Sequence, residues 1–240
     1  MLSLVRVTSR WALLSAGILG LVWLSMAAGE RATAGARQEV LEFDELRLFV
    51  EANASDGDAE VNLDFDSDVP LRCLDIYAPG GRHVLRLKSR DRERLGLRKG
   101  IIETPEPAPE EVFAAYPEGV YTIKGRSVDG ELVLGEVSLS HSLPPAPVIT
   151  SPAAGAEGVA LAGLGAAWNA VPGATGYVLE LERESEEGEF ALKADIPAGT
   201  TSFTFPPGWV LANTEYQLGV AVKGENGNVQ VTEIQFTTGS

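Results

Sequence analysis

The chain has 240 residues, with 34 acidic against 19 basic side chains and a formal net charge of −15. That balance excludes a nucleic-acid partner, since binding phosphates needs Lys and Arg clustered over one face. The lone Cys73 precludes an intramolecular disulfide; stability must come from packed cores, and Cys73 in LRCLDIY is expected as a small buried hydrophobe.

At the start of the chain, Arg6 and Arg10 precede an uncharged apolar run from Trp11 to Ala28. This is the layout of a secretory signal, and Ser25 with Ala27 gives the small-x-small spacing for cleavage after Ala27 or Ala28. Residues 1–28 are therefore expected as a signal peptide, and the protein as exported, periplasmic or extracellular. The run also reaches the lower limit of a bilayer span, so an uncleaved signal helix is the one membrane contact foreseen. About 210 residues follow it, enough for two domains.

The first domain is expected over residues 38–142. The runs LEFDELRLFVEAN, AEVNLDFD, LRCLDIYAP and RHVLRLKS alternate as strands do. A short helix is expected at PEEVFAAY, entered through Pro109. Then PEGVYTIKGRSVDGELVLGEVSLSH reads as a turn at residues 117–119, a strand through Tyr121 and Ile123, a hairpin at Asp129-Gly130 and a closing strand.

Charge is laid out unevenly within this half. Residues 37–68 carry eleven carboxylates and two arginines, whereas residues 82–99 carry eight Lys or Arg and two acids. Two readings follow. A strand from the first block can lie beside one from the second, opposite charges contributing a few tenths of a kcal/mol per pair. Alternatively, the arginine-rich stretch is an inserted loop, and Arg90, Arg92, Arg94, Arg98 and Lys99 form a contact patch for an acidic partner such as an anionic polysaccharide or a lipid headgroup.

The aspartates of residues 53–68 raise a metal question. An EF-hand loop places ligands at fixed offsets around a glycine at position six. Setting Gly57 there puts Ala52 and Ala54 at ligand positions and Leu63 at the twelfth, so the pattern fails. A looser calcium site using Asp56 and Asp58 with Asp64, Asp66 and Asp68 is the remaining metal candidate. Against it, alternate aspartates on one strand face also keep a solvated edge from pairing. No cofactor is otherwise expected. His83 and His141 are far apart in sequence and lie in no HExxH or other catalytic motif, so both are read as surface strand residues.

Pro144, Pro145 and Pro147 mark an extended linker over residues 143–149. Beyond it, Trp168 ends a strand and Val171-Pro172-Gly173 turns. In the next strand Tyr177, Leu179 and Leu181 point one way while Val178, Glu180 and Glu182 point the other. Further strands are expected through Phe190, Leu192, Ala194 and Ile196 after a turn at residues 186–188, at TSFTFP, and on both sides of the Gly224–Asn228 hairpin. Seven such runs with frequent turns argue a β-sandwich.

Residues 146–238 resemble a fibronectin type III domain. The resemblance rests on Pro147 and Pro152 at the start, Trp168 on the second strand, VPGATGYVLEL entering the third, and Leu211 with Tyr216 before the sixth. It implies that the Tyr216 hydroxyl bonds back to the backbone of the preceding loop. The last two strands of residues 38–142 resemble those of bacterial immunoglobulin-like modules, of unassigned family. The whole is thus expected to be all-β, two tandem sandwiches after a signal helix. Fold does not set function. The reading adopted is a non-enzymatic binding or structural module of the cell envelope or extracellular space, contacting a protein or an envelope polymer. Its contacts are expected on exposed loops, residues 90–99 and the Glu225–Asn228 hairpin. The alternative is an accessory or catalytic component acting on extracellular polysaccharide. Trp209 then counts as the one exposed tryptophan outside residues 1–28, with Trp168 in the core.

Overall fold

A computed structural model describes residues 40–90, 95–183 and 190–240. The expected signal peptide, Arg92, Arg94 and the turn at residues 186–188 lie outside the described residues. The order is β1 (Val40–Glu42), β2 (Glu45–Asn53), β3 (Asp58–Tyr77), β4 (His83–Lys88), β5 (Leu97–Glu103), α1 (Pro109–Ala115), β6 (Gly119–Ser127) and β7 (Leu132–Leu139). Then come β8 (Ile149–Ser151), β9 (Gly165–Trp168), β10 (Gly176–Arg183), β11 (Phe190–Pro197), β12 (Ser202–Thr204), β13 (Glu215–Lys223) and β14 (Val229–Thr237). Among the described residues the fold is all-β with one short α-helix and a 3-10 turn at Pro79–Gly81, and none of these helices is long and apolar enough to cross a membrane.

The C-terminal half is a β-sandwich of two sheets. One sheet runs β12-β9-β8 and the other β14-β13-β10-β11. Strand alternation builds the core between them: Tyr177, Leu179, Leu181, Leu218, Val220 and Val222 are at most 1 % exposed, and Trp168 closes against Tyr177 edge-on at 5.5 Å. The Leu211 N–H donates to the Tyr216 hydroxyl at 2.9 Å, the corner that the resemblance implies. Tyr177 repeats the device, accepting from the Val171 N–H at 2.9 Å.

The N-terminal half is built on one long strand within a single connected sheet. β3 spans 20 residues and joins what the sequence reads as two runs. Its first part lies between β2 and β5, and its second between β4 and β6, with register breaks around residues 66–73. Pro70 sits at the break, where a missing N–H costs no ladder bond, and the buried Ser67 hydroxyl donates to the Val69 carbonyl. The two parts fold over a core of Val61, Phe65, Leu71, Leu74, Tyr121 and Ile123, which α1 closes with Val112.

Two expectations for this half are corrected. The arginine-rich stretch is not wholly a loop, because Leu97–Glu103 is strand β5, paired with β3. Gly100 makes the pairing close: the Phe65 ring lies where a β-carbon at Gly100 would be, 2.7 Å away. Cys73 is half-buried on the outer face and not in the core. The register shift between Leu71 and Cys73 sends Leu71 and Leu74 inward, and the thiol outward with Asp75.

Candidate binding surfaces

A seam joins the two halves. β14 pairs in parallel with β2, Val229 opposite Glu51 and Val231 opposite Asn53, so one hydrogen-bonded sheet continues from one half into the other. Asn228 locks it from within at 1 % exposure. Its Oδ1 accepts from the Val50 N–H at 2.9 Å, and its Nδ2 donates to the carbonyls of Ser140 and Ser142 at 2.8 and 2.9 Å. Asn226 Nδ2 donates to the Ser142 carbonyl as well, at 2.8 Å. A buried amide with every group satisfied fixes one geometry. The Glu225–Asn228 hairpin, expected as an exposed contact loop, is therefore anchored to the other half. Further along, Asn53 Nδ2 donates to Glu233 Oε2 at 2.9 Å, and the Ser55 hydroxyl bonds both backbone groups of Glu233.

Above the seam, the sheet face forms a groove of about 390 Å³. Phe49, Val178, Gly219, Ala221, Val229 and Val231 line it with Glu51, Glu60, Glu180 and Glu233, and Lys193 and Lys223 stand among the acids. Glu51 faces Glu60 directly across β2 and β3. Burial, then the Glu60 charge, push the Glu51 carboxyl up to about 7. Burial raises Glu60 too, against the Asn62 amide that donates to it. Lys193 pairs with Glu180 at 3.3 Å, and Lys223 with Asp195 at 2.7 Å.

The structure places the expected contact residues on and beside the outer edge. Lys99 opposes Asp66 across the β3–β5 ladder, and their charged groups stand 3.4 Å apart. Arg98 donates Nε to the Ser67 carbonyl at 3.0 Å and lies 3.4 Å from Asp68. These two cations thus meet the acidic block across a ladder, the first of the two arrangements their charge pattern allows. Arg90 is exposed beyond the end of β4.

Asp64 completes the alternate aspartates and pairs with Arg47 at 3.4 Å, while Asp56 and Asp58 sit in the turn before β3 and at its start. Among the described residues, no three His, Cys, Asp or Glu side chains converge as a metal-binding group. His141 stacks on Phe113 at 4.2 Å, and its Nε2 lies 2.7 Å from the Tyr116 carbonyl. Trp209 is 51 % exposed, with Leu211 and Leu161 among the other exposed apolar side chains.

Sequence reasoning missed one cluster. On the outer face of β3, Asp75 is 6 % exposed and receives Arg86 through two bonds, Nε at 2.5 Å and Nη2 at 2.9 Å. His83 Nε2 lies 2.8 Å from the same carboxylate. The Arg86 bonds hold the Asp75 carboxyl below the usual carboxylate range, against its burial. The signal was there: Asp75 breaks the apolar run LRCLDIY, and bases recur in RHVLRLK.

No family model matches the sequence, and no curated protein does. Among solved structures, the fibronectin(III)-like modules of CbhA from Clostridium thermocellum are similar at 8 % identity and a TM-score of 0.31, covering 82 % of this chain and 93 % of that one. The FN1–FN3 domains of chicken CNTN1 are similar at 9 % identity and a TM-score of 0.34, covering 83 % of this chain and 65 % of that one.

Proposed function

We propose that the chain is a non-enzymatic binding or structural module, exported to the cell envelope or the extracellular space, that presents surfaces to a protein or polymer at fixed spacing. The observation that carries it is the seam: Asn228 and the β2–β14 ladder join two sandwiches so that surfaces on both keep one mutual geometry. Arg90, Arg98 and Lys99, with Arg92 and Arg94 between them in sequence, remain a proposed contact on this reading. Expression of the full chain, followed by fractionation and cross-linking in the envelope fraction, tests it. Recovery of one specific envelope component, lost when Asn228→Ala loosens the seam, supports the reading; recovery of the chain alone retires it.

One observation favours a second reading, work on an extracellular polysaccharide: Glu51, its carboxyl pushed up to about 7 by burial, faces Glu60 in the groove. Release of reducing ends from a polysaccharide, abolished by Glu51→Gln, would support it; equal activity in that variant would sink it.

A further inference from the structure

We propose that the outer face of β4, β3 and β6 is a docking surface for a linear polyanion bearing carboxylates, of the polyuronate class, lying along β3. This rests on the binding-module reading and names its partner chemistry.

The register builds the surface. Cys73 lies between Lys88 on β4 and Arg126 on β6, and Asp75 between Arg86 and Lys124. Tyr77 lies between His83 and Thr122. Long cationic side chains therefore rise on both outer strands, and shorter groups occupy the middle one. Neighbouring strands are about 4.8 Å apart, so the two cationic ridges stand about 10 Å apart, wide enough for one extended chain. In a protein of net charge −15, this face gathers four Lys and Arg around one acid. The other acids of the face, Glu42 and Glu136, stand on β1 and β7, beyond the second ridge.

Of the four cations, Arg86 alone pairs with that acid. Arg126 donates Nη1 to the Gly130 carbonyl. Lys124 lies over the Tyr77 ring, 4.8 Å from its centroid. Among the described residues, neither Lys88 nor Lys124 has a carboxylate within ion-pair distance, and both are exposed. A cation over a ring keeps its outer hydrogens for a second partner.

The chemistry of the anion is read from the face itself. Asp75 is a carboxylate already seated there, bound by a planar guanidinium in two parallel bonds and touched by an imidazole nitrogen. With Arg86 occupied by Asp75, the donors left for an added carboxylate are those of Lys88 and Lys124. Tyr77, with the His83 ring 5.1 Å from its own, closes one end. A chain with a negative charge on each sugar could meet both ridges in turn. Val120, half-exposed on β6, is a single apolar side chain beside these cations, too little to insert into a lipid surface, so a membrane is the weaker fit.

The test is binding of the full chain to polygalacturonate, with neutral dextran and phosphatidylserine vesicles run alongside. Binding to polygalacturonate that weakens with salt, and weakens about tenfold or more in Lys88→Gln/Lys124→Gln, is expected. Lys88 and Lys124 are both exposed, so folding is preserved, as thermal unfolding will verify. No binding to polygalacturonate, equal binding by the Lys88/Lys124 variant, or binding to the vesicles alone each overturns the proposal. All three leave the binding-module reading standing if cross-linking still recovers an envelope component, which separates the two failures.

Discussion

The two halves of the molecule reach a β-sandwich by different routes. In the C-terminal half each strand belongs to one sheet, and short turns carry the chain between them. In the N-terminal half a single strand, β3, pairs with β2 and β5 in its first part and with β4 and β6 in its second, with its register breaking on either side of Pro70. The first arrangement places its instructions locally, in alternation and turns. The second puts them in pairings between distant segments, such as Asp66 with Lys99 and Leu71 with Ser127. Joining the halves through the seam makes the second depend on the first.

The largest effects should come from the cores. Leu74→Ala in the N-terminal half and Leu218→Ala in the C-terminal half, both wholly buried, should each cost about 2–5 kcal/mol. Trp168 and Trp209 both report on the C-terminal half, so a shift of their fluorescence transition by Leu74→Ala would show the halves unfolding together. An unshifted transition would show the C-terminal sandwich standing alone.

Asn228→Ala breaks the comparison at its joint. Leaving the Val50 N–H and the Ser140 carbonyl without their partner, and the Ser142 carbonyl with Asn226 alone, should cost about 2–4 kcal/mol. One unfolding transition should become two, seen as divergence between tryptophan fluorescence and far-ultraviolet circular dichroism.

Glu51 makes the seam sensitive to pH. Its carboxyl is raised from 4.5 to about 7 in the folded chain, so the folded state binds a proton that the unfolded state has released. The stabilisation is complete below pH 4.5 and lost as pH rises through 7, a change on the order of 2–3 kcal/mol. Denaturant unfolding at pH 5 and pH 8 measures it, and Glu51→Gln should flatten the difference.

The tyrosine corners offer a finer comparison. Tyr216→Phe leaves the Leu211 N–H without its acceptor, and Tyr121→Phe leaves the Pro117 carbonyl without its donor. Each should cost about 1–2 kcal/mol by denaturant midpoint. The smallest effect belongs to Asp66→Asn, whose exposed pair with Lys99 should be worth less than about 1 kcal/mol.

These differences decide what the sequence discloses. Trp168, the alternation of Tyr177, Leu179 and Leu181, and the corner at Tyr216 are legible because period and turn chemistry are local signals. Helix α1 is legible for the same reason, through Pro109. Strand β5 is not: Arg98 and Lys99 look like loop residues until Asp66 and Asp68 stand opposite them. Asn228 reads as turn chemistry in GENGN, and only the fold reveals that its amide is buried against Val50 and Ser142. The Asp75 cluster hides for a related reason, since a carboxylate in an apolar run gains its meaning from Arg86 across the ladder.

The parallel seam also has a mechanical consequence. β2 and β14 run in the same direction, so tension drawing residue 45 backward and residue 237 forward slides one strand along the other. The seam hydrogen bonds then carry the load together, in shear, and do not peel open one at a time. Asn228, at the first of them, acts as a catch against that sliding.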